Sequence, residues 1–233
     1  MSFYKITFHL DGTGLYFDPH EPIHIDALLA WALAPRQNIR HTDRSTIPDL
    51  VRLPVKRSMI NGSHVWHASA LFPEGEMAEG IWHWRKRFRQ GRAELTTGSP
   101  NLTNGQYRDW QMPVPLLLCH SLVGYANGHR RDLRNLLGEV RYLGKKRAHG
   151  HGRVIGLDIE QCDADYSLVK NGRAMRWLPS HNGTRLVRPM PPYWNPHGRV
   201  TCCEVGDEFN LPREDGSGGD RHQPLTDTQS CNH

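Results

Sequence analysis

The 233-residue sequence predicts an α+β fold, on three observations. Residues 3–10 alternate apolar and polar side chains with the period of a half-buried strand. Residues 130–143 carry leucines at helical spacing. Between and after them the segments follow in the order strand, helix, strand, strand, helix, strand.

In residues 3–10, Tyr4, Ile6, Phe8 and Leu10 share one face and Lys5, Thr7 and His9 the other. A turn at Asp11-Gly12-Thr13-Gly14 and a proline-flanked loop follow. Asp26 is expected to N-cap a short apolar helix over 27–33, which Pro35 stops. Residues 36–63, rich in Arg, Asp, Thr and Pro, read as a long loop. Residues 65–72 mix apolar side chains with Ala68, Ser69 and Ala70, as a buried central strand does.

Residues 81–92, I-W-H-W-R-K-R-F-R-Q-G-R, are expected to be extended. Trp82 and Trp84 would then share one face and His83, Arg85 and Arg87 the other, with Lys86 adding charge. Stacking rings beside phosphate-seeking cations are what single-stranded nucleic acid requires. Residues 92–97 are expected to return as a partner strand. After an apolar run at 113–123, the helix over 130–143 buries Leu133, Leu136, Leu137 and Val140 and exposes Arg130, Arg131, Arg134 and Arg141. A strand with Ile155, Leu157 and Ile159 closes the unit. Asn171-Gly172, between extended runs, signals a type I′ hairpin. R-P-M-P-P-Y-W (188–194) is too proline-rich for a central strand, and the composition beyond Leu211 is that of a disordered tail. The order matches the ferredoxin-like β-α-β-β-α-β unit, whose sheet is a frequent platform for RNA.

Between the second helix and the last strand lies the most informative segment, G-K-K-R-A-H-G-H-G-R. It holds Gly144, Lys145, Lys146, Arg147, His149, Gly150, His151, Gly152 and Arg153. Glycines admit close backbone approach, and lysine and arginine supply charge and forked donors for phosphate oxygens. A nucleotide-binding P-loop is excluded by spacing: five residues separate Gly138 from Gly144, Lys146 follows Lys145 where Ser or Thr is needed, and the helix precedes the loop. The loop reads as a cradle for a polyanion of another kind.

Charge agrees. The net charge is +5, but residues 204–233 carry Arg213 and Arg221 against seven carboxylates, which leaves +10 on residues 1–203. A basic domain over 1–203, suited to a polyanionic partner such as nucleic acid, and an acidic, flexible tail over 204–233 are expected. The start of the chain lacks a signal-peptide pattern and no run reaches the length of a membrane span, so a cytoplasmic location is expected. The five cysteines are odd in number and without C-x-x-C spacing, so neither a disulfide framework nor a metal or other cofactor is expected.

The loop, with the P-I-H-I-D-A-L-L-A-W-A run (22–32), the W-H-A-S-A strand (66–70), the N-G-R-A-M-R-W-L-P hairpin (171–179) and R-P-M-P-P-Y-W, resembles the RAMP superfamily of CRISPR RNA-binding proteins. Within it the similarity, over roughly residues 3–200, is to the type IV effector subunit that caps the 5′ handle of the guide RNA. The resemblance implies a non-catalytic subunit whose glycine loop binds the handle. It also implies contacts with repeated RAMP backbone subunits, with a large subunit and with target DNA near the protospacer-adjacent motif. The basic, aromatic segment from Trp82 would be a thumb-like insertion.

An alternative is a metal-independent endoribonuclease that processes precursor CRISPR RNA. Histidine titrates near neutrality unaided, and fifteen histidines supply candidates: His41, His64, His67 and His83, with Tyr107. A general RNA or single-stranded DNA chaperone on the sheet is the third reading, and it lacks an R-G-F-G-F-V-type strand.

Overall fold

The computed structural model describes residues 1–18, 20–35, 52–86, 110–145 and 147–211, with Asn101, Thr103, Asn104 and Arg108 between. The fold is mixed α+β and mostly strand. Its main sheet contains β1 (Ser2–Leu10), β4 (Phe72–Lys86), β5 (Trp110–Gly128) and β6 (Val154–Gln161) in the order β4-β5-β1-β6, with every pairing antiparallel. Helices α1 (Ile25–Leu33) and α2 (Arg130–Leu137) cover one face. The alternation of β1 explains why. Tyr4, Ile6, Phe8 and Leu10 are buried and join Ile25 and Leu29 of α1 and Leu133, Leu136 and Leu137 of α2 in one core.

The opposite face of the sheet carries carboxylates. Lys5 pairs with Glu74 at 2.8 Å and His9 with Asp158 at 2.8 Å, while Glu160 stands opposite Lys5.

Several local expectations are corrected. Helix α1 is capped by the His24 backbone, not by Asp26, which is fully buried inside the first turn. Its carboxylate accepts Arg176 at 2.9 Å and Tyr193 at 2.8 Å. Of the expected loop over 36–63, residues 36–51 lie outside the described residues. The rest contains β2 (Arg57–Ile60), paired with β3 (Ser63–Trp66) across Asn61-Gly62, both at positive φ. The strand expected over 65–72 breaks after Trp66. Arg176 Nη1 donates to the Trp66 and Ala68 carbonyls, removing acceptors a ladder would use, and Ala68 N–H turns back to Trp66 O.

Helix α2 ends at Leu137, six residues early, where Gly138 forms the C-cap. Val140 and Leu143 are nevertheless buried, from extended chain. In β6, Ile155 is exposed and Val154 packs on the core, because a bulge opposite His9 and Leu10 shifts the alternation by one residue. The return strand expected at 92–97 lies outside the described residues, and the partner of β4 is β5. The Asn171-Gly172 turn joins β7 (Val169–Lys170) to β8 (Arg173–Ala174) as expected, and no strand runs through 188–194.

A second core lies under the β2–β3 hairpin, where Ile60 and Val65 meet Leu168, Leu178 and Phe209. Here β9 (Leu178–Pro179), β10 (Arg185–Val187) and β11 (Val200–Cys203) form a small sheet. The buried Arg176–Asp26–Tyr193 cluster fastens this layer to α1. His24, buried against Trp177 and Tyr193 with ring centroids 4.8 Å away, is pushed well below the usual histidine range by burial. No described helix is long and apolar enough to cross a membrane.

Candidate nucleic-acid interface

The glycine loop is a closed stem rather than a free turn. At its base Leu143 N–H donates to Gly152 O (2.8 Å) and Val154 N–H to Arg141 O (2.9 Å). Gly152 N–H in turn donates to Gly14 O (2.8 Å), and Tyr16 bridges Lys145. The segment around Leu15 thereby ties the loop to β5, where Leu15 and Leu117 exchange both backbone hydrogen bonds. Two glycines are dictated by this packing. Gly144 and Gly152 have φ of +75° and +70°, and a Cβ would fall 2.5 Å from Tyr16 O in the first case and 2.1 Å from Leu143 O in the second. Gly150, at φ +88°, faces open space at the tip, where its N–H closes a turn onto Arg147 O. The N–H groups of Gly150 and Gly152 are thus spent within the protein, so an anion held here would be left to the loop's side chains.

Those side chains differ in availability. Lys145 Nζ donates to Glu21 Oε2 at 2.5 Å and lies 5.4 Å from the Tyr16 ring centre. The hydrogen bond to Glu21 raises its pKa, so it is a firmly charged but occupied lysine. Arg147, in a short 3-10 turn (Arg147–His149), and Arg153 are exposed and form no ion pair among the described residues. Lys146 and Arg87 lie outside the described residues.

Beyond the edge of β1, strands β4 and β5 continue as a two-stranded ribbon. Its register sets Trp82 opposite Val114, Trp84 opposite Met112 and Lys86 opposite Trp110 on one face, and puts His83 and Arg85 on the other. The tryptophan face leans on the loop. Trp82 lies 5.3 Å from His149 and 4.9 Å from His151, and Trp84 lies 5.7 Å from His149 and 4.2 Å from Trp110, edge to face. Two segments distant in sequence therefore build one aromatic cluster, while Arg85 stays on the far face. His151 is 9% exposed and neither ring nitrogen has a hydrogen-bond partner among the described residues. Such a group is costly to leave unpaired. Trp110 was missed from sequence, because only the β4–β5 register shows that it meets Trp84.

The histidines proposed for acid–base work are placed differently. His67 is buried, with Nδ1 bonded to Asp165 Oδ2 (2.8 Å) and Nε2 to Ser58 Oγ (2.9 Å). Burial raises the Asp165 pKa, but hydrogen bonds from His67, Ser167 and Asn127 outweigh it and hold the carboxyl well below the usual range. Both nitrogens of His67 are taken in pinning the β2–β3 hairpin to the segment before β7. His64 lies in β3 and His83 is exposed on the outer ribbon face. His41 and Tyr107 lie outside the described residues.

Comparison with known families matches residues 3–96 and 75–205 to the family described as CRISPR type IV associated protein Csf3. The chain belongs to the Csf3 family. The two matched segments overlap over 75–96, which includes Trp82 and Trp84, and the second contains the whole glycine loop. The Csf3 match ends at residue 205. No curated protein matches the chain.

Proposed function

We propose that this chain is a non-catalytic RNA-binding subunit of a type IV CRISPR effector ribonucleoprotein, that it caps the 5′ handle of the guide RNA, and that its core is ferredoxin-like. Membership of a type IV CRISPR-associated family supports the assembly. The sheet order β4-β5-β1-β6 with α1 and α2 on one face supports the fold. One observation carries the RNA site: the glycine loop and the tryptophan ribbon, nominated separately, converge through His149, His151, Trp82 and Trp84. Arg147 and Arg153 would hold phosphates and the aromatic cluster would stack bases, the two requirements of single-strand binding. Repeated RAMP subunits, a large subunit and target DNA near the protospacer-adjacent motif are the proposed neighbours in the assembly.

The endoribonuclease reading gains nothing from His67, whose nitrogens already serve Asp165 and Ser58. A chaperone using the open sheet face would meet Glu74, Asp158 and Glu160. The deciding experiment is to co-express the chain with its genomic neighbours and a repeat array, purify it and sequence the co-eluting RNA. A fixed 5′ segment is expected, and heterogeneous RNA would overturn the reading. Incubating labelled repeat RNA with the protein in EDTA should leave it uncut.

A further inference from the structure

Beside the glycine loop, and lined by no residue of the tryptophan ribbon, a groove of about 470 Å³ runs between α1 and residues 139–145 and 147. Tyr16, Trp31 and Tyr142 line it over an apolar floor that includes Leu28 and Val140. Trp31 is 48% exposed, on a helix whose remaining apolar residues are largely covered, and Tyr142 is 36% exposed. Large rings left open beside a cavity of this size are the usual lining of a small-ligand site.

The rim identifies the ligand. It carries three carboxylates, Asp18, Glu21 and Glu139, and three cations, Arg141, Lys145 and Arg147. A phosphate or an acidic peptide placed inside would face the carboxylates. A neutral planar group edged with both donors and acceptors would find partners for each, and a nucleobase is such a group. Lys145 and Arg147 belong to the groove and the loop at once, so phosphates held on the loop and a base held in the groove would share these two cations. We infer that this groove receives one unstacked base of the RNA bound at the glycine loop, with Trp31 as its stacking wall. The inference rests on the RNA-binding reading above and adds a second stacking site, lined by residues distinct from the tryptophan cluster.

Trp31→Ala tests it, since a half-exposed side chain can be removed without emptying the core, and Trp31→Phe keeps a ring in place. Circular dichroism and thermal melts establish that both fold. Affinity is measured on the full chain with synthetic copies of the co-purifying RNA's 5′ segment, each carrying one abasic nucleotide. The wild-type chain should lose about 5- to 100-fold at one abasic position. Trp31→Ala should lose a similar factor on intact RNA and nothing further at that position, and Trp31→Phe should recover most of the loss. Equal affinity of Trp31→Ala and wild type, or an abasic penalty that persists in full in Trp31→Ala, overturns the inference and leaves the loop site standing. A Trp31→Ala chain that binds RNA normally but no longer joins its partner subunits also overturns it, because the groove then docks protein. Failure of the wild-type chain to bind any of these RNAs would instead overturn the RNA-binding reading.

Discussion

A Cβ at Gly152 would stand 2.1 Å from the Leu143 carbonyl oxygen and 2.9 Å from Leu15 Cδ1, with φ at +70°. Alanine there must displace the backbone that closes the loop stem, so Gly152→Ala is expected to lower stability by about 2–4 kcal/mol. Gly150→Ala, which meets no atom within 4 Å, should cost about 1 kcal/mol, for its positive φ alone. Urea denaturation of both variants separates packing from conformation. Asp165 allows a pH test. Its folded-state pKa lies below the unfolded value of about 4, so its contribution is complete above that value and is lost as pH falls toward the folded one. Asp165→Asn should cost about 1–3 kcal/mol at pH 7 and flatten the stability profile below about pH 4, read by denaturation at several pH values. Roles of this kind depend on partners far along the chain and are not legible in the sequence alone. The glycines were read as making room for a ligand, whereas Gly144 and Gly152 make room for Leu15 and Tyr16, about 130 residues away. Asp26 was read as a cap because a carboxylate before an apolar helix so often is one; its true partner, Arg176, lies 150 residues on.

At the scale of elements, β1, the start of α2, β6 and the Asn171-Gly172 hairpin were legible because each is specified by local period or turn chemistry. The β2–β3 hairpin carried the same Asn-Gly signal at 61–62 and was read as loop, since the polar residues before it masked the strands. The candidate site was half legible. W-H-W alternation gave the tryptophan face, but only the thirteen-pair register with β5 brings Trp110 to it and turns it toward His149 and His151. If these rings stack on RNA, Trp82→Ala and Trp84→Ala should each weaken binding about 5- to 100-fold, while Ile81→Ser, on the outer ribbon face, should leave it within about twofold. Fluorescence anisotropy with a labelled 5′ segment checks this. Equal losses at all three positions would mean that the ribbon, and not the tryptophan face, supports binding.

For the whole molecule the governing quantity is the distribution of charge. Residues 1–203 carry +10 and the chain +5, so the last thirty residues offset half of the field that draws a polyanion toward the loop. The sheet adds little to that field, because Lys5 is matched by Glu74 and His9 by Asp158. Deleting residues 212–233 removes Arg213 and Arg221 together with Glu214, Asp215, Asp220 and Asp227, and raises the net charge from +5 to +7. Phe209, which packs in the second core, stays in place, so the truncated chain should keep its thermal stability. Association with RNA should quicken by about two- to threefold near 50 mM salt, where charges interact across roughly 14 Å, and the gain should vanish near 0.5 M, where screening shortens that reach to about 4 Å. Dissociation should be unchanged, because none of the residues proposed to touch RNA is lost. Stopped-flow association at several salt concentrations measures both rates. A gain that persists at high salt, or a slower dissociation, would mean that the tail occupies the site directly rather than acting through the field.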